Sequence, residues 1–394
     1  MRSRRRLRIL AAARAVSVPA LALVLASTAT AEATGGAVID NGTVQLGVHD
    51  QGHLNVFEGT PSSGTGTPYV GLRYLPTGAE ATAPGCLCEG WGAADGISGV
   101  SGYANEAVDG IQNMMPVTFS STGSSAESVV EIGGTLRVSH DYRPSATPNL
   151  YEVTVTIENI GASTIEPRYR RVMDWDVEPT AFSEFVTANI GDATALLYNN
   201  NDGFTTANPL GSQSSGGVSP LVTGNFEDLG PNDHGALFDF GFDELEPGES
   251  TSFRIFYGAT GTEEAALSAL AIVQAEAFSL GQPDTENGPT TGEPNTFIFA
   301  FAGIGGTPVC VENGLRALDG TPGEGLASGF VHEQLEAAAA GVDPALADVV
   351  HTVNCNVVTP VEAIVNGAAV PASMRGAREP RPALPNLLLL PGLE

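Results

Sequence analysis

The chain has 394 residues, 45 of them acidic against 17 basic, giving a formal net charge of −28 without a single lysine. A surface so negative repels phosphate backbones and anionic lipid heads, which excludes nucleic acid as a partner and leaves divalent cations, or plain solubility in salt, as its natural complement. The 48 Gly and 26 Pro punctuate short Val/Ile/Thr/Tyr/Phe runs, a spacing that predicts a mainly β, antiparallel sandwich.

Residues 1–31 read as an export signal. MRSRRRLRIL is basic, AVSVPALALVLA is apolar, and Ala29-Thr30-Ala31 forms an A-x-A cleavage site before Glu32. The apolar run is shorter than the about 20 residues a spanning helix needs, so the expected mature chain carries no integral membrane segment and is secreted, extracellular or held at the cell envelope. Ser3-Arg4-Arg5-Arg6-Leu7 is similar to a twin-arginine signal, with Arg8 where that signal prefers an apolar residue. Cleavage removes six arginines and no acid, leaving 11 basic residues against 45 acidic, a net of −34.

Residues 32–304 are expected to form the sandwich, or its larger supersandwich form. In Leu150 to Asn159, Val153, Val155 and Ile157 alternate with Thr154, Thr156 and Glu158, the period of two that buries one face. Similar runs at 43–48, 52–57, 68–75, 127–132, 135–142, 235–241, 251–257 and 295–302 supply enough strand for two packed sheets. One helix interrupts them near 262–277, where Thr260-Gly261-Thr262-Glu263 fits a capping box ahead of strong helix formers. It is expected to cover a sheet edge or one end of the sandwich.

From 305 to 365 the chain reads as a small appendage with helices, HEQLEAAAAG and DPALADVV, and from 366 to 394 as a disordered tail. Four cysteines in an exported chain are read first as disulfides. Cys310 and Cys355 flank the helical patch and would close it as a unit. Cys86 and Cys88, in GCLCEGWG, are left to each other or to a crossed pairing, with redox work or metal ligation as the sharper alternatives.

The densest chemistry lies in RYRRVMDWDVEPT (168–180). Read as a strand, Tyr169, Arg171, Met173, Trp175 and Val177 point one way and Arg168, Arg170, Val172, Asp174 and Asp176 the other. The plainest reading pairs these charges along or across strands as a structural face. A second makes Asp174 and Asp176 an acid pair working on a sugar, with Arg170 and His140 lining a concave face. A third makes a calcium site from Asp174 and Asp176 with loop oxygens from YNNNDGF (198–204) and NFEDLGPNDHG (225–235), chiefly Asp202 and Asp233, because hard cations take six to eight oxygens. NNNDG matches half of an EF-hand spacing and lacks the closing Glu. The six histidines are scattered, with no H-E-x-x-H, no G-x-S-x-G and no phosphate-cradling Gly loop.

The segments NGTVQLGV (41–48), GLRYLPTGAEATAPGCLCEGWG (71–92), YEVTVTIENIG (151–161), RYRRVMDWDVEPT and DHGALFDFGFDELEPGES (233–250) resemble, in wording and order, an uncharacterised β-rich module of exported bacterial surface proteins of the sorting-signal type. That resemblance brings no established activity. NGTVQLGVHDQGHLNV is also similar to the opening strands of sugar-binding supersandwich proteins such as aldose mutarotases, which implies a glycan alternative without assigning a residue. The expectation is a secreted acidic structural or binding module, calcium-stabilised, meeting an extracellular glycan or protein. The alternative is a carbohydrate-active enzyme.

Overall fold

The computed structural model describes residues 35–309 and, beyond them, the backbone of three short strand pairs: Val311–Glu312 with Leu315–Arg316, His351–Asn354 with Val357–Pro360, and Ile364–Val365 with Ala368–Ala369. The leader, both members of the Cys310/Cys355 pair, the helical patch between 332 and 350 and the tail beyond 369 lie outside the described residues.

Two antiparallel sheets face each other. The larger has nine strands, in the order Phe226–Asn232, Glu184–Asn189, Ala277–Pro283, Thr296–Ala302, Ser250–Thr260, Leu150–Asn159, Leu136–Pro144, Ala126–Ile132 and Met114–Ser121. The smaller has five: Leu196–Asn200, His234–Gly241, Pro167–Trp175, Gly90–Asp95 and Ser101–Asn105. A four-stranded sheet built from Ala37–Asp40, Val44–Val48, Leu72–Tyr74 and Ala79–Glu80 adds to the same core. The mainly β sandwich expected from the sequence is what the chain forms.

Alternation explains the layering. Val153, Val155 and Ile157 are fully buried while the residues between them are half-exposed. The aromatic rings of the two sheets meet in the middle: Tyr169 lies edge-on to Phe253 at 5.0 Å, and Phe238 lies 4.9 Å from Phe301 and 5.6 Å from Phe299. Each such side chain stabilises the fold by roughly 1.5–3 kcal/mol through burial, and the edge-to-face geometry adds to that. Close approach sets two glycines. A Cβ at Gly281 would stand 2.8 Å from the Trp175 indole, and one at Gly235 would stand 2.0 Å from the Met173 carbonyl.

The helix runs over Glu263–Ile272, shorter than expected, and Thr262, not Thr260, caps it by accepting from the Ala265 amide. Gln274 takes a left-handed φ of 57°, and residues 277–283 leave as a central strand instead of extending the helix. The helix does not cover an edge. Ala266, Leu267 and Leu270 pack on Phe256, Ile298 and Ala300, on the outer face of the nine-stranded sheet. No helix among the described residues is long and apolar enough to cross a membrane.

Candidate functional site

The Pro167–Trp175 strand lies at the centre of the five-stranded sheet, between His234–Gly241 and Gly90–Asp95. Its residues alternate as the sequence predicts, but both faces are buried. The inner face meets the opposite sheet, where the Trp175 indole N–H donates to the Ser279 hydroxyl at 3.0 Å. Over the outer face lies loop 201–215, which brings Ala207 onto Val172 and Leu237.

In the arginine half of the strand, every arginine has an anion. Arg171, on the inner face, donates through Nε to Glu89 at 2.5 Å with both side chains fully buried, and Glu89 also accepts from the Tyr257 hydroxyl and the Leu54 amide. Arg170, on the outer face, grips Asp239 directly across the ladder with Nε and Nη2 at 2.6 and 2.8 Å, and donates to the Thr206 and Ser212 carbonyls. Arg168 holds Glu166 at 2.5 Å nearer the surface. The charges of the strip do pair, but with acids from other positions, and none with Asp174 or Asp176.

The aspartate half is different. Asp174, the last but one residue of the strand, lies opposite Gly235, and Asp176 follows the strand's end, held by its amide to the Ala81 carbonyl at 2.8 Å. Carboxylate oxygens of Asp174, Asp176 and Asp233 all lie within 4.8 Å of one another. Asp176 is fully buried with neither oxygen hydrogen-bonded, and one oxygen of Asp174 and one of Glu184 are likewise buried and unpartnered. Among the described residues no arginine or histidine forms an ion pair with any of these four acids. The adjacent His234 imidazole does not compensate them, because burial brings its pKa down to about 4 and leaves it uncharged at neutral pH.

Burial is the first cause of the shifts that result, and repulsion among the acids adds to it. Asp174 is pushed well above the usual carboxylate range by burial and then by Asp176 and Asp233. Asp176 is pushed up to about 8 by burial and Asp233, and Glu184 to about 9 by burial despite the His234 amide it accepts. Asp233 is exposed and gives the cluster its opening to solvent. Gly85 lies beside that group. At φ 66° it leaves room where a Cβ would stand 3.2 Å from an Asp176 oxygen and 2.5 Å from the Phe182 ring. Cys86 and Cys88 are joined as a disulfide, and the Cys86 Sγ lies 3.3 Å from an Asp174 oxygen.

Of the residues proposed from sequence as cation ligands, the fold thus gathers Asp174, Asp176 and Asp233. It seats Asp202 elsewhere: its carboxylate accepts from the Ser214 and Ser215 hydroxyls and the Ser215 and Phe204 amides. The sugar-directed set is not brought together. Arg170 is bound to Asp239, and His140 lies on the inner side of the sheet, its Nε2 2.9 Å from the Tyr169 hydroxyl and its ring 4.3 Å from Trp91. Glu184 joins the acidic group without having been foreseen. It begins a strand, EFVTAN, where a carboxylate at the sheet end reads as an ordinary solvated terminus, and only the tertiary packing buries it.

No protein-family model and no curated protein matches the chain. Two solved structures are similar in part. One is a galactose mutarotase related enzyme of Lactobacillus acidophilus, 9% identical with a TM-score of 0.27, over 68% of this chain and 86% of its own. The other is a candidate aldose 1-epimerase of Escherichia coli K12, 12% identical with a TM-score of 0.23, over 68% of this chain and 98% of its own. At these values the likeness extends to neither a site nor an activity.

Proposed function

We propose that Asp174, Asp176, Asp233 and Glu184 bind a divalent cation of the calcium class, and that the chain is an exported acidic module stabilised by that ion. The observation that carries this reading is Asp176: two carboxylate oxygens, fully buried, without a hydrogen-bond donor, with oxygens of two further acids, Asp174 and Asp233, within 4.8 Å. Burying an unpaired carboxylate costs several kcal/mol unless a counter-ion or a proton relieves it. A hard cation is the counter-ion that carboxylate oxygens favour, and the exposed Asp233 gives it a way in. Export rests on the leader pattern of residues 1–31, and the partner of such a module would be an extracellular glycan or protein.

Titration calorimetry of the chelator-treated chain with calcium tests the proposal. One equivalent of uptake is expected, lost in Asp176→Asn and kept in Asp202→Asn. Equal uptake by the wild type and Asp176→Asn places calcium elsewhere.

One contact favours a second reading. Carboxylate oxygens of Asp174 and Asp176 lie within 4.8 Å of one another, a spacing at which one of two acids is kept protonated, which suits acid–base work on a sugar in the absence of metal. Mutarotation or glycoside cleavage by chelator-treated chain, abolished in Asp174→Asn, would favour it over the cation.

A further inference from the structure

A second cluster lies away from the acidic group and plays no part in that proposal. The segment HDQGH (49–53) folds back on itself: the His49 amide donates to the His53 carbonyl at 2.8 Å, and the Gly52 amide to the His49 carbonyl at 2.8 Å. Gly52 permits the reversal with a φ of 79°. The turn makes the two histidines cross-strand neighbours, and their rings stack at 4.3 Å with an interplanar angle of 5°. Both Nε2 atoms consequently face one carboxylate, since Glu106 Oε1 lies 2.8 Å from His53 Nε2 and 3.8 Å from His49 Nε2. The Asn55 carbonyl oxygen lies 3.1 Å from His49 Nε2.

We infer that His49, His53 and Glu106 form a binding site for a zinc-class transition metal, with the Asn55 carbonyl or water as a fourth ligand. Two imidazoles and a carboxylate are donors that zinc, copper and nickel favour over calcium. Ligands about 2.0–2.2 Å from a shared tetrahedral ion stand roughly 3.4 Å apart, a value that the 2.8 and 3.8 Å separations bracket. The ring planes lie within 5° of parallel, so binding requires the partly exposed His49 ring to turn until its Nε2 lone pair converges with that of His53. Burial differs usefully among the three. His53 is fully buried, while the side chains of His49 and Glu106 are 18% and 34% exposed, so one ligand is fixed and the other two leave an open side for entry. A lone His53–Glu106 hydrogen bond would serve structure equally well; the second imidazole, with its Nε2 3.8 Å from the same carboxylate oxygen, is what adds a third donor for a metal.

Zinc titration of the chelator-treated chain in non-reducing buffer, with cobalt absorption in the visible as a probe of coordination, tests the site. One zinc equivalent is expected, with His49→Ala and Glu106→Gln each weakening it by at least about tenfold and abolishing the intense cobalt bands, while Asp176→Asn leaves both unchanged. Absence of zinc uptake, uptake indifferent to both variants, or uptake lost in Asp176→Asn overturns the inference. Both altered side chains are partly exposed, and circular dichroism of each variant verifies the fold. If one variant fails to fold, the other decides. Because calcium uptake is measured at different residues, failure here leaves the acidic cluster untouched, and the reverse holds equally.

Discussion

The two halves of one strand treat charge in opposite ways. Between Arg168 and Arg171 every cation meets an acid, with bonds at 2.5 to 2.8 Å. Three residues later Asp174 and Asp176 are as deeply buried, lie against other acids and meet no cation. Burial alone therefore does not mark the second half. Glu178, two residues further on, makes the point: burial raises its pKa, but the Ser62 and Thr65 hydroxyls and the amides of Gly64, Thr65 and Glu80 outweigh that and the net shift is downward. A structural carboxylate is saturated with donors. Asp176 has none, and that contrast makes its neighbourhood a ligand site instead of a piece of scaffold.

The largest effect is expected where a matched pair is broken. Glu89→Gln leaves Arg171 buried and uncompensated, at a cost of about 3–5 kcal/mol, measurable by urea denaturation. Asp239→Asn should fall at or below the lower end of that range, because the Thr206 and Ser212 carbonyls still hold Arg170 Nη1. In the unmatched half the sign reverses. Without calcium, Asp176→Asn removes a repelling carboxylate and should stabilise the chain by about 1 kcal/mol, while deleting its response to calcium. A destabilised, calcium-responsive variant would erase the distinction between the halves.

The same distinction has a pH dependence. Asp176 and Glu184 have folded-state pKa values raised to about 8 and about 9, against unfolded values near 4. Between those limits the folded chain holds more protons than the unfolded one, so calcium-free stability falls as pH rises from about 4 through 9. Calcium holds the carboxylates ionised and should flatten that decline. A calcium-free stability that rises from pH 5 to 8 would mean that the group is compensated by something else. The smallest effect belongs to Arg168, whose pair with Glu166 lies near the surface: Arg168→Ala should cost under about 1 kcal/mol and lose part of that in salt.

How much of this could be read from the sequence follows from what each feature depends on. The strand Leu150–Asn159 was legible to the residue, because its alternation is strict and one face is solvated. Met114–Ser121 was not, since MMPVTFSS carries no alternation and lies exposed at the sheet edge. The helix expected to reach 277 stops at Ile272, and Ala277–Pro283, whose Ala, Gly and Pro carry no strand alternation, forms a strand because burial in the middle of a sheet overrides propensity. In the strip itself the two faces were correct, yet the partners were not visible: Glu89 and Asp239 lie 82 and 69 residues away from the arginines they bind. Asp233 could be named as a ligand because its loop is rich in Asn and Asp, whereas Asp202, from an equally suitable loop, is bound by Ser214 and Ser215. Composition identifies donors, and only register decides which of them converge.

The central claim is that the unmatched acids await a cation, and thermal melts of the wild type and Asp176→Asn, in chelator and in saturating calcium, test it most directly. Calcium at a hundred times its dissociation constant should stabilise the wild type by about 2.7 kcal/mol, reversibly on re-chelation, and leave Asp176→Asn unmoved. A wild-type melting temperature that shifts no further in calcium than in a charge-matched inert salt would contradict the account.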